Sequence, residues 1–80
     1  MEFEVLVQLK SEVLDPEARA IKDVLISQGI SGIEGVTVAK RYVVALQADE
    51  AQADKKMEAI ASEYLSNPVS QIYKIKRLAT

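Results

Sequence analysis

An 80-residue chain reading strand, helix, strand, strand, helix, strand predicts an α+β domain in which two helices pack on one face of a four-stranded antiparallel sheet. Three observations carry that expectation. Apolar residues alternate at period two near the start, two helical stretches each begin behind an Asp, and β-branched runs fill the middle and the end. With 49% hydrophobic residues, the chain suffices for one packed core and is too short for two, so residues 1–80 read as a single domain.

Strand one covers Phe3 to Lys10, where Phe3, Val5, Val7 and Leu9 form the inward set and Glu2, Glu4, Leu6, Gln8 and Lys10 the outward one. Asp15-Pro16-Glu17 then reads as a helix start. Asp caps free N–H groups, Pro is pre-set for the first helical position, and Glu suits the positive end of the helix dipole. The helix is expected from Pro16 to Gln28, with Ala18, Ile21, Val24, Leu25 and Gln28 on its apolar stripe and Gly29 as a left-handed cap. Beyond Gly32 and Gly35, Val36 to Lys40 and Tyr42 to Ala48 read as a hairpin broken at Lys40-Arg41. Asp49 with Gln52 resembles a capping box for the second helix, whose stripe is Ala53, Met57, Ile60, Ala61, Tyr64 and Leu65. Asn67-Pro68 ends it, because the residue before Pro is pushed out of the helical region. A last strand follows from about Val69 to Leu78, with Tyr73 and Ile75 on one face. The βαββαβ order is that of a ferredoxin-like sandwich.

Such a sandwich leaves one sheet face uncovered. Opposite-parity counting puts Leu6, Thr37, Ala39, Val43, Ala45, Ile72 and Leu78 there, an apolar set that points to an interface, with Leu6, Val43 and Ala45 as contact candidates. Small domains are often marginal alone, so a homodimer or larger assembly is expected.

The chain has no Cys and no His, which removes Cys–His and Ser–His–Asp catalysis, thiolate or imidazole metal sites, and the usual base near neutral pH. Gly29, Gly32 and Gly35 make neither a Walker loop nor a dinucleotide fingerprint. A formal charge of −2 with acids and bases interspersed gives no footprint for nucleic acid. The cluster Lys74-Ile75-Lys76-Arg77 reads as charges protecting an edge strand. The start of the chain lacks the basic and apolar regions of a signal peptide, and no apolar run reaches bilayer length, so a cytoplasmic protein without membrane association is expected.

Three segments together resemble one family. Lys10 through Ile21, Gly35 through Lys40, and Leu65 through Val69 followed by Tyr73 are similar, in order and separation, to the PurS family, the small subunit of phosphoribosylformylglycinamidine synthase. Glu12, Ala18 and Ala39 stand where that family commonly has Gly. The resemblance implies a role in purine biosynthesis beside a large ATP-dependent synthetase subunit and a glutaminase subunit. ATP and glutamine would be used by those partners, with no cofactor and no catalytic residue in this chain. It adds Asp15, Lys40 and Arg41, the charged residues of the matching motifs, as partner-contact candidates. An ACT-like regulatory dimer shares the element order, yet its ligand loop corresponds here to Glu12 and Asp15 without Gly, which suits a carboxylate ligand poorly. An RNA-recognition domain needs strand aromatics and a basic surface that this chain lacks.

Overall fold

A computed structural model describes residues 1–78, so the last two residues of the expected domain lie outside the described part. Strand β1 spans Glu2–Leu9, helix α1 Pro16–Ser27, strand β2 Ala39–Ala45, helix α2 Glu50–Ile60 and strand β3 Gln71–Leu78, with a π-helical turn at Ala61–Leu65 extending α2. The sheet is antiparallel in the order β2-β1-β3. Its inward face is the one read from the period-2 pattern. Phe3, Val5 and Val7 are buried against Ala53, Met57 and Ala61 of α2 and its extension, with Tyr42, Val44, Tyr73 and Ile75 packed around them.

Among the described residues three strands, rather than the expected four, make this sheet. Lys40 and Arg41 lie inside β2, paired with Val7 and Leu6, and do not turn the chain. A two-residue hairpin needs positive φ at its centre, and among the described residues positive φ occurs only at Gly29 and Gly32. Val36 and Val38 are half-buried but belong to no strand, so their β-branched side chains indicate a preference that finds no neighbour here.

Helix α1 forms where expected and packs otherwise. Asp15 Oδ1 accepts from the backbone N–H of Glu17 at 3.0 Å and of Ala18 at 3.2 Å, and Pro16 is the first helical residue. At the other end, Gly29 at φ 82° donates to Ile26 O and Ile30 donates to Leu25 O, the paired bonds of a Schellman cap. Yet Ala18 is its only buried residue, and Ile21, Val24 and Ile26 are 40%, 57% and 52% exposed. The stripe expected to complete the core therefore faces outward. Lys22 Nζ donates to Glu34 O at 3.3 Å, tying α1 to the segment that leads to β2. The chain measures 51 × 29 × 14 Å with a Cα radius of gyration of 16.2 Å, against about 12 Å for a compact chain of this length.

Helix α2 lacks the expected capping box, since Asp49 makes no side-chain cap and only its carbonyl accepts, from Gln52 and Ala53. Ala53, Met57 and Ala61 keep the buried stripe at fourfold spacing. The π turn then widens the helix, so Leu65 returns toward the core and Tyr64, placed on the stripe by α-helical counting, is 79% exposed. Ser66 Oγ donates to Ala61 O at 2.8 Å and closes that turn. Beyond it, Asn67 Oδ1 accepts from Val69 N, and Pro68 to Ser70 form a turn that delays β3 to Gln71.

Replacing Asp15 isolates the cap. In the purified chain, Asp15→Ala is expected to lower unfolding free energy by about 1 kcal/mol, with Asp15→Asn restoring most of it, because either side chain accepts from the first-turn N–H groups. Urea denaturation followed by circular dichroism measures both. An unchanged midpoint in Asp15→Ala would leave Asp15 without a structural task.

Candidate functional site

Among the described residues, no three acidic, His or Cys side chains gather in a metal-binding arrangement. The resolved titration shift belongs to Tyr73, whose hydroxyl donates to the Glu58 carboxylate. That hydrogen bond, with burial and the carboxylate charge behind it, holds the phenol above its ordinary value. A phenol held protonated between strand and helix ties the two together and offers no base.

The six contact candidates divide by position. Leu6, Arg41, Val43 and Ala45 share the outer sheet face, Leu6 directly opposite Arg41 on β2 and Lys74 on β3. In the next row Glu4 stands between Val43 and Lys76, and beyond that Glu2 stands between Ala45 and Leu78. Arg41 forms an ion pair with Glu4 along the diagonal. Lys40 has the opposite parity, on the face of Tyr42, and is exposed. Asp15 sits apart from both, in its capping role beside a groove of about 460 Å³ between the loop before α1, the helix and residues 35–38.

The outer face is thus not the continuous apolar patch expected from parity. Thr37 lies outside the sheet, and Glu2, Glu4, Arg41, Lys74 and Lys76 interleave with Leu6, Val43, Ile72 and Leu78. Counting apolar residues of one parity overlooked the charged residues of the same parity. The basic cluster divides as well. Arg77 turns inward, 5.4 Å from the Phe3 ring centroid, and reaches Glu50 and Asp54 at the start of α2, while Lys74 and Lys76 face outward.

Sequence reasoning placed Ile21 and Val24 on the core stripe of α1 and missed that they stay open, together with Ile26 on another side of the helix and Ile30 beyond its end. A signal was available. Ile26 and Ile30 widen the apolar set beyond what one helix face would place against its own sheet.

Among the described residues, a three-stranded sheet covered by one of two helices, with apolar side chains of the other helix left open, is the architecture of a chain suited to association. Comparison with known proteins states which. The family model described as PurS, phosphoribosylformylglycinamidine (FGAM) synthase, matches residues 2–79, and the chain belongs to that family. The phosphoribosylformylglycinamidine synthase subunit PurS of Mycobacterium leprae is 36% identical over 73 residues, 91% of this chain and 90% of the relative. The crystal structure of Methanocaldococcus jannaschii PurS, described as one of the subunits of formylglycinamide ribonucleotide amidotransferase in the purine biosynthetic pathway, superposes with a TM-score of 0.83 at 29% identity, over 94% of this chain and 92% of that one. A chain in the structure of PurLQS from Thermotoga maritima shares the fold, with a TM-score of 0.78 at 24% identity over 96% and 95% of the two chains. Membership makes the chain a subunit of FGAM synthase, in purine biosynthesis.

Proposed function

We propose that this chain is the assembly subunit of the synthase, holding a glutaminase beside the ATP-dependent synthetase so that ammonia passes between them. The observation that carries the reading is the uncovered α1 stripe, which the single chain leaves open and an assembly would bury. A second copy is the first partner, because an elongated chain with one helix off its core is completed most simply by its own twin. Residues 1–80 act as one domain in this role, in the cytoplasm where purine precursors are made. No residue of the chain serves as catalyst or cofactor ligand. ATP and glutamine are consumed at the partner subunits, which agrees with a chain that has neither His nor Cys. Leu6, Val43, Ala45 and Arg41 on the outer face, and Asp15 and Lys40 elsewhere, remain the contact candidates.

Binding tests this directly. Synthetase immobilised on a sensor is expected to retain glutaminase strongly only when this chain is present, with light scattering showing the free chain to be a dimer or larger. Equal retention without it would remove the docking role.

A further inference from the structure

We infer that the outer sheet face, centred on Leu6 and edged by Lys74 and Lys76, docks an acidic surface of another protein subunit, with carboxylates meeting the two lysines and an apolar side chain seated between them. The inference deepens the assembly reading and rests on it. Strand β3 alternates strictly, so Tyr73 and Ile75 pack inward while Ile72, Lys74 and Lys76 share the outward face. Residues two apart on a strand lie about 7 Å from each other, and neighbouring strands about 4.8 Å, so Lys74 stands directly opposite Leu6 and Lys76 one step along the diagonal, opposite Glu4. Both lysine charges are uncommitted. Arg41 is paired with Glu4 and Arg77 with Glu50 and Asp54, whereas no ion pair among the described residues engages Lys74 or Lys76.

Beside them the surface is concave and apolar. Ile72 is 47% exposed and Val43 46%, and a depression of about 440 Å³ is bounded by Leu6, Gln8, Ile72 and Lys74. An apolar floor rimmed by free cations is the usual anatomy of a protein contact, the floor giving affinity and the rim selecting the partner's charge.

Charge also chooses the occupant. The face holds Arg41, Lys74 and Lys76 against Glu2 and Glu4, a cationic area on a chain of formal charge −2. A two-fold contact between copies sets the same patch against itself, and would oppose cation to cation. A carboxylate-bearing surface of a different subunit meets no such penalty.

The test reverses the two lysines in the full chain, Lys74→Glu with Lys76→Glu, beside a control of equal charge change on the exposed side of α2, Lys55→Glu with Lys56→Glu. Binding to purified synthetase and to purified glutaminase is measured separately, at low and high salt, with the oligomeric state followed by light scattering. The β3 pair is expected to weaken one of the two interactions by roughly tenfold or more and to flatten its salt dependence, leaving oligomeric state and melting temperature unchanged, while the α2 pair changes binding less than about twofold. Equal losses from both pairs, or none from the β3 pair, would overturn the inference. So would dissociation of the homo-oligomer by the β3 pair, which would place the face between copies. Wild-type chain that binds neither subunit would instead sink the assembly reading, and this inference with it.

Discussion

Omitting this chain from a reconstituted synthase is expected to abolish most glutamine-dependent amidine formation while leaving much of the turnover driven by excess ammonium salt. The expectation follows from a division of labour. A glutaminase docked on a synthetase delivers ammonia at high effective concentration, and an undocked one releases it into bulk solvent, where protonation and dilution remove it from use. Ammonium added in excess bypasses delivery. In the proposed division the nucleotide and substrate sites belong to the synthetase, and this chain contributes no group to the chemistry. Both assays use one synthetase preparation, with product formation followed in each. Ammonium-driven turnover that collapses as far as the glutamine-driven rate would mean that the chain shapes the synthetase site itself, and the docking account would be wrong with the family unchanged.

Placing carboxylates on the α1 stripe, Ile21→Asp with Val24→Asp, is expected to convert the isolated chain from dimer to monomer and to prevent synthase assembly. In one copy these side chains are 40% and 57% exposed, so in a free monomer the exchange would cost far less than at a core position, and circular dichroism shows whether the fold survives it. In an assembly the balance differs. Covering what remains open of each side chain contributes on the order of 1 kcal/mol in each copy, and an unpaired carboxylate in that contact adds a desolvation cost. Together the two positions are enough to move a micromolar dimer out of reach at assay concentrations. Light scattering reads the oligomeric state and circular dichroism the folded content. A double variant that stays dimeric would show that α1 is not at the contact between copies, and would direct attention to the unpaired edge of β2.

How much was legible follows from the range over which each feature is determined. The Asp15 cap and the Gly29 cap are decided within a few residues by hydrogen-bonding capacity and by tolerance of positive φ, and both stand where the sequence put them. The inward set of β1 is equally local, since alternation alone chooses Phe3, Val5 and Val7. Hairpins are local too, but polarity alone does not turn a chain, and Lys40-Arg41 offers no residue that readily takes the positive φ a tight hairpin needs. The site candidates fared by the same rule. Leu6, Val43 and Ala45 share a face because parity is local, while the ion pair joining Arg41 to Glu4 depends on register between distant segments.

From the sequence by itself came the helix boundaries around α1, the core face of β1 and, through three matching segments, the family. Tertiary structure alone decided the number of strands, the division of the basic cluster into an inward Arg77 and outward Lys74 and Lys76, and the exposure of Tyr64 beyond the π turn. It also decided the fate of α1. An amphipathic pattern specifies that a stripe must be buried without specifying by what, and in this chain the sheet is already covered by α2, so the first helix is left with its apolar side turned outward, where another molecule can cover it.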